Sequence, residues 1–294
     1  SHDHSLAGRF SIWQSAKVEF FMAGSANPVF TDAVNEVEKS GDVWLTLPAP
    51  AKVNLMLSVH GRRADGFHEL TSLVAALEFG DELELRVNEG ESDSLACDGA
   101  DVPLDDSNLV LRAAQLFREA SGRIECFDFR LRKNIPVGAG LGGGSSDAVA
   151  VLKGLNALLD AGMDADQLRE LSARIGSDCP FFVDAEPSLM RGRGERIEPL
   201  DKEMAGRLSG QRLVLFRPDF GINTAWAYGQ LVAMPELYED TAAAEARLAR
   251  FREDGSWSGL LRNVFEDAVG RKFLALPSLL EKLRSQGHDC MMSG

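Results

Sequence analysis

The feature that most limits what this chain can fold into is the run Asn134-Ile135-Pro136-Val137-Gly138-Ala139-Gly140-Leu141-Gly142-Gly143-Gly144-Ser145-Ser146-Asp147. Before it, Phe127, Phe129 and Leu131 alternate with Asp128, Arg130 and Arg132, the two-residue period of a strand with one face in a core. After it, from near Ser146, Val151, Leu152, Leu155, Leu158 and Leu159 form a helical stripe closed by Gly162. The glycines between leave main-chain N–H groups uncovered, free to turn together onto one anion, and the helix start adds its partial positive charge. Strand, glycine loop and helix make a cradle for phosphate. Ser145 and Ser146 can cap the helix or offer hydroxyls to phosphate or Mg2+.

Better-known phosphate loops fit less well. Gly138, Gly140 and Gly143 satisfy G-x-G-x-x-G, but a dinucleotide fold puts that pattern after its first strand, and several strand-like segments come earlier here. A P-loop needs Gly-Lys-Ser/Thr, and this loop has no lysine. The His-Arg-Asp of protein kinases is absent from the sequence.

The rest of the chain mixes strands and helices. Val53, Leu55, Leu57 and Val59 alternate with Lys52, Asn54, Met56 and Ser58, predicting a half-buried strand with Lys52 and Asn54 on its non-core face. Leu83, Leu85 and Val87 repeat the pattern after Gly80-Asp81. Ser107 is the expected cap of a helix to about residue 120, striped by Val110, Ala113, Ala114 and Phe117. Leu168, Leu171 and Ile175 stripe another, ended by Gly176. A short strand at 213–216, an alanine-rich helix near 241–253, a helix near 277–286 and a last apolar strand at 290–292 follow. This predicts an α+β fold in two domains, 42–203 and 204–294, divided in the polar stretch 201–210. Residues 1–41 carry no sustained period. They are set aside as a leader or tag-like extension, with Met22 a candidate natural start.

Composition narrows the partners. Of 294 residues, 45% are hydrophobic, enough for a large core without a disulfide or metal staple. Lys plus Arg is 31 against 45 Asp plus Glu, a net charge of −14, which argues against a nucleic-acid or anionic-membrane binder but not against a small phosphorylated substrate. Cys97, Cys126, Cys179 and Cys290 are too far apart for a C-x-x-C motif and read as reduced thiols of a cytoplasmic protein. No apolar run reaches the roughly 18 residues of a membrane span.

Pro-x-Gly-x-Gly-Leu-Gly-x-x-Ser-Ser resembles the second motif of the GHMP kinases, the superfamily of galactokinase, homoserine kinase and mevalonate kinase. More closely, Pro48-Ala49-Pro50-Ala51-Lys52-Val53-Asn54-Leu55, Arg63-Ala64-Asp65-Gly66-Phe67-His68-Glu69-Leu70 and Ile175-Gly176-Ser177-Asp178-Cys179-Pro180-Phe181-Phe182 resemble blocks of the 4-diphosphocytidyl-2-C-methyl-D-erythritol kinase family of the non-mevalonate isoprenoid pathway. Gly192-Arg193-Gly194-Glu195 and Arg262-Asn263 also fit, and the likeness runs from about residue 45 to the end.

The resemblance implies a two-domain GHMP kinase fold, ribosomal protein S5 domain 2-like then ferredoxin-like, and transfer of the ATP γ-phosphate to the 2-hydroxyl of the cytidine-linked substrate. Mg2+ would arrive with ATP, without a dedicated metal cage. The partners are small molecules, not nucleic acid or membrane, for a monomer or homodimer. Asp178 becomes the base, its pKa raised by crowding from Cys179-Pro180-Phe181-Phe182, and Lys52 holds it as a carboxylate and contacts the transferred phosphate. Pro136 through Ser146 hold ATP. Asn54, Phe67, His68, Thr224 and Tyr228 bind the acceptor, although a strand-edge Asn54, a structural loop His68 and a core Tyr228 stay open alternatives. Rival readings are another GHMP kinase and a non-catalytic nucleotide-binding module. Two departures stand out. Met291-Met292-Ser293-Gly294 resembles the opening of a third glycine-rich motif, so the chain reads as truncated there, and Asn263 precedes Val264-Phe265-Glu266 where the family more often has an Asp.

Overall fold

The computed structural model describes residues 18–22, 44–218 and 220–294. Its frame is a pair of long antiparallel strands, β2 (Leu45–Arg62) and β3 (His68–Asn88), rich in the β-branched and leucine side chains that suit a pleated buried surface. The main sheet runs β4 (Ser94–Asp98), β5 (Cys126–Arg132), β3, β2, β9 (Arg262–Asn263), while β6 (Ser188–Gly192) pairs with β3 and with β7 (Arg196–Pro199). Along β3, Val74 and Ala76 face one core, and Leu73, Ala75 and Leu77 face the other.

The first core is filled by α1 (Leu109–Ser121), α2 (Gly143–Leu158), α3 (Ala165–Ala173) and α4 (Phe181–Asp184). Apolar side chains of α6 (Thr224–Ala233), α9 (Phe265–Gly270) and α10 (Ala275–Ser285) join it. The second core receives α5 (Lys202–Leu208), α7 (Thr241–Asp254) and α8 (Trp257–Leu260). No described helix is long and apolar enough to cross a membrane.

Strict alternation does not survive in β2. Its register against β3 shifts between Pro50 and Lys52 and again between Asn54 and Met56. Leu45, Leu47 and Ala49 therefore face the first core, Ala51, Val53 and Leu55 the second, and Leu57 and Val59 the first again, although all are odd-numbered. A bulge re-aims the side chains around it. The consequence corrects the expected half-buried strand: Lys52 and Asn54 are each only 6% exposed, on the side covered by the glycine loop.

Other differences concern element ends. Asn108, not Ser107, caps α1, accepting from Val110 N–H at 2.9 Å. Ser107 is already committed to Asp105, donating from its N–H at 2.9 Å and its hydroxyl at 2.6 Å. The glycine-loop helix starts at Gly143 rather than near Ser146. Residues 290–292 form no strand, because side chains occupy their main-chain groups: Met292 N–H donates to Glu266 at 2.9 Å, and Met292 O accepts from Asn263 Nδ2 at 2.9 Å. The stretch set aside as 1–41 contains β1 (Val18–Phe21), paired antiparallel with β8 (Arg212–Leu215). Met22 follows it, 3% exposed in the second core and bridged to Leu77.

The chain after residue 204 feeds back into the main sheet, since β9 pairs in parallel with β2, Leu57 opposite Asn263. If β1 and Met22 are integral to the core, Met22→Ala will destabilise the protein by about 2–5 kcal/mol in urea unfolding. A loss below about 0.5 kcal/mol, the size of an ordinary surface change, would show that the packing around Met22 contributes nothing.

Candidate active site

The glycine loop is held from both ends by one buried cation. Lys133 directly follows β5, and its ammonium sits 5% exposed, hydrogen-bonded to Asp81 and, at 2.7 Å, to Asp147, the fifth residue of α2. The other Asp81 oxygen accepts the N–H groups of Asn134 at 2.6 Å and Ile135 at 2.7 Å. The direction in which the chain leaves the strand is thus set by a carboxylate, as is the point where it enters the helix. Burial pushes the Asp147 carboxyl up to about 7 against the pull of Lys133. Burial lowers the Lys133 ammonium, but Asp147 and Asp81 together hold it above its ordinary value.

Gly142 caps α2 in the left-handed region, φ 73°. A Cβ there would lie 2.7 Å from Phe182 Cζ and 3.0 Å from Lys52 Cγ, so no other residue fits without displacing the Lys52 or Phe182 side chain. At Gly140 the approach is to main chain: a Cβ would be 2.7 Å from Gly294 Cα. Leu141 anchors the loop in the second core, and Val137 is left exposed. Among the described residues, the buried Ser146 hydroxyl and one Asp147 oxygen have no hydrogen-bond partner.

Lys52 is joined to this loop through its backbone, its N–H donating to Leu141 O at 2.9 Å. Its ammonium donates to Asn54 Oδ1 at 2.6 Å and lies 3.4 Å from Asp178 Oδ2. Asn54 is held in turn: its Nδ2 donates to Ser72 Oγ at 2.8 Å, and its N–H donates to Ser293 Oγ at 3.0 Å. Ser72 donates to Met56 O at 2.7 Å. Asp178 occupies the turn between Gly176 and α4, where the next residue, Cys179, is fully buried and hydrogen-bonded to Ser145 of the loop helix. Burial pushes the Cys179 thiol up to about 11. The apolar crowding expected around Asp178 is absent. Phe181 and Phe182 turn into the core, and the Asp178 side chain stays 42% exposed while that of Lys52 is 7% exposed. The pair is asymmetric, a shielded cation beside a carboxylate open on one side.

A second group gathers where β3 begins. Phe67 is 53% exposed, with the Arg193 guanidinium 4.6 Å from its ring centroid. The ring of His68 lies 4.7 Å from that of Tyr228 and 6.0 Å from that of Tyr238. Tyr228 also meets Phe265 edge-on at 4.9 Å, so it backs His68 rather than offering a bare face. Burial, then the nearby charge of Asp178, pushes the Tyr228 hydroxyl up to about 12. Burial, then Arg62, lowers the His68 imidazole, which favours its neutral form. Thr224 lies exposed in the first turn of α6, one turn before Tyr228, and among the described residues no contact joins it to the Lys52–Asp178 pair.

The sequence pattern did not flag Asp81, Lys133, Asp147, Ser72 or Ser293. The available signal was local only at Lys133 and Asp147, charged residues on either side of the glycine run.

A glycine-loop helix set beside a lysine–aspartate pair, on this sheet, defines a GHMP kinase, and the family model described as GHMP kinases N terminal domain matches residues 108–186. The chain is 39% identical over 265 residues to the 4-diphosphocytidyl-2-C-methyl-D-erythritol kinase of Synechococcus sp. (strain CC9605), covering 85% of this chain and 84% of that one. It is 38% identical over 245 residues to the enzyme of the same name from Pelotomaculum thermopropionicum, covering 83% of each. A crystal structure of 4-(cytidine 5'-diphospho)-2C-methyl-D-erythritol kinase superposes with a TM-score of 0.63 at 36% identity, over 82% of this chain and 83% of that one. The chain belongs to the 4-diphosphocytidyl-2-C-methyl-D-erythritol kinase family.

Two outcomes follow from the loop geometry. Gly142→Ala places a Cβ in the left-handed region and against Phe182 and Lys52. It will cost at least about 1–2 kcal/mol in urea unfolding and weaken ATP binding in a calorimetric titration; an ATP affinity equal to wild type would contradict the loop's role. The second concerns pH. The native Asp147 keeps its proton from the ordinary value of 3.8 up to about 7, whereas the unfolded chain releases it at the bottom of that window. The Asp147 contribution to stability is therefore complete below 3.8 and lost as pH rises toward 7. Urea unfolding from pH 4 to 8 should show wild type losing stability relative to Asp147→Asn as pH rises, and a flat difference would refute the assignment.

Proposed function

We propose that this chain transfers the γ-phosphoryl group of ATP to the 2-hydroxyl of 4-diphosphocytidyl-2-C-methyl-D-erythritol, a step in building isoprenoid precursors. The observation that carries the reading is the Lys52–Asp178 pair, 3.4 Å apart and tied to the phosphate cradle by the Lys52 N–H to Leu141 O bond.

The division of labour follows from the asymmetry of the pair. Main-chain N–H groups between 137 and 145, at the start of α2, hold the triphosphate oxygens. Lys52, kept from water, places a fixed positive charge beside both the carboxylate and the transferring phosphoryl group, where it counters charge that builds as the reaction proceeds. Asp178 is open to the acceptor and takes the hydroxyl proton as the new oxygen–phosphorus bond forms, the bond to the β-phosphate oxygen breaks and ADP leaves. Asn54, held by Ser72 and by Lys52 itself, is positioned to orient the acceptor's polyol. Phe67 and His68 take the cytosine, Phe67 by its exposed ring and His68 by its neutral imidazole, with Tyr228 behind it and Thr224 at the outer edge. The unpartnered Ser146 hydroxyl and Asp147 oxygen are groups that fit an Mg2+ ion or phosphate oxygen arriving with ATP.

Release of ADP from ATP in the presence of 4-diphosphocytidyl-2-C-methyl-D-erythritol tests the reading. Asp178→Asn should lower kcat by on the order of 10²–10⁴-fold while ATP still binds in a calorimetric titration. Turnover by that variant at the wild-type rate would sink the assignment of the base.

A further inference from the structure

Arginines in this chain are commonly set against a carboxylate. In α1, Arg118 is held by Asp93 at 2.7 Å, and just beyond that helix Arg123 lies 3.6 Å from Glu125. Arg112, the fourth residue of α1, is not. It is exposed, and among the described residues its guanidinium has neither an ion pair nor a hydrogen bond. Its position is also a poor one for a lone cation, because the start of a helix carries partial positive charge.

Contacts along α1 fix what Arg112 faces. Toward the end of the helix, Glu119 accepts from the Arg174 guanidinium at 3.4 Å, so the side bearing Glu119 is turned to the segment that leads from α3 into Asp178. Arg112 precedes Glu119 by seven residues, two helical turns, and lies on that same side. At the start of the helix, Leu109 packs on the glycine-loop helix: a Cβ on Gly144 would be 3.4 Å from Leu109 Cδ1. Leu109 and Arg112 are three residues apart and therefore neighbours on the helix surface. Ser145, next to Gly144, is hydrogen-bonded to Cys179, and the positive charge of Arg112 acts on that same thiol. Arg112 thus stands where the start of α1, the start of α2 and the residue after Asp178 come together. The Asp178 carboxylate is 3.4 Å from Lys52, on another element. Two helix starts and an unpaired guanidinium repel one another until an anion arrives between them.

We propose that Arg112 is a further phosphate-contacting residue of the kinase reaction, its guanidinium closing on the terminal phosphoryl group of ATP from α1 while Lys52 does so from β2. The choice of the terminal group follows from the neighbours. The phosphoryl to be transferred has to lie against the base, and Arg112 flanks the cradle side of the turn that carries Asp178. Exposure leaves the side chain free to move onto a ligand. A guanidinium offers a planar pair of N–H donors to two phosphate oxygens, whereas an ammonium offers a point charge. This inference rests on the kinase reading for the identity of the anion.

The test is a calorimetric titration of the full chain with ATP and with ADP, each as its magnesium complex, for wild type, Arg112→Gln and Arg112→Lys. Arg112→Gln should weaken ATP binding by about 10-fold or more and leave ADP binding unchanged. Arg112→Lys, which keeps the charge without the fork, should fall between that variant and wild type. The ligand-free melting temperature should not drop in either variant, because no contact of the folded protein is removed. A drop in melting temperature with ATP and ADP affinities altered alike would mark Arg112 as structural and overturn the inference. Equal ATP affinity in wild type and Arg112→Gln would overturn it as well, and in both cases the kinase reading stands. A wild-type protein that binds neither nucleotide would overturn the kinase reading, and this inference with it.

Discussion

The site depends first on the Lys133 ammonium and the two carboxylates around it. A buried cation is tolerated only when well paired, and this one is paired with Asp81 of β3 and Asp147 near the start of α2. Those three residues come from β3, the residue just after β5, and α2, and the ion cluster ties all three at the glycine loop. Asp81 also takes the first two N–H groups beyond Lys133, so the loop starts and finishes at fixed points about one ammonium group. Without such a brace, a run this rich in glycine would have many conformations and would forfeit the alignment of N–H groups that makes it an anion site.

The second dependency is the pair of register shifts in β2. Regular pleating would have turned Lys52 and Asn54 outward from a half-buried strand. The shifts at Pro50/Lys52 and Asn54/Met56 move a short segment to the other parity and bury it on both faces. Lys52 can then bond the loop through its backbone and Asn54 through its side chain at once. The same segment is contacted by residues from much later in the chain, with Ser293 on Asn54 and β9 beside Leu57, so both parts of the chain bear on the surroundings of Lys52.

Much of this was legible from residue patterns, and the parts that were not share a cause. The glycine loop and its flanking strand and helix were visible because local spacing carries them, whereas the pairing of Lys52 with Asp178 came from the family resemblance of their two blocks. The double burial of Lys52 and Asn54 was invisible because a bulge leaves the alternating pattern intact while changing which face each parity serves. β1 was missed because its four residues pair with β8, nearly the whole chain away, and carry no period of their own. The open side of Asp178 was misjudged because adjacency to Phe181 and Phe182 in sequence says nothing about where a tight turn sends those rings. The Lys133 brace needed Asp81, Lys133 and Asp147 to be seen together, and nothing in one dimension links them.

The uneven burial along β2 and its following turn divides the enzyme into regions of different tolerance to substitution. From Ala51 to Val59 the strand is covered on both faces, so any change there meets packed neighbours and disturbs the setting of Lys52 and Asn54. From Arg62 to Phe67 the chain runs at the surface, with Arg193 over Phe67. Substitutions in that turn therefore meet solvent rather than packed neighbours, and the turn can vary where the covered stretch cannot.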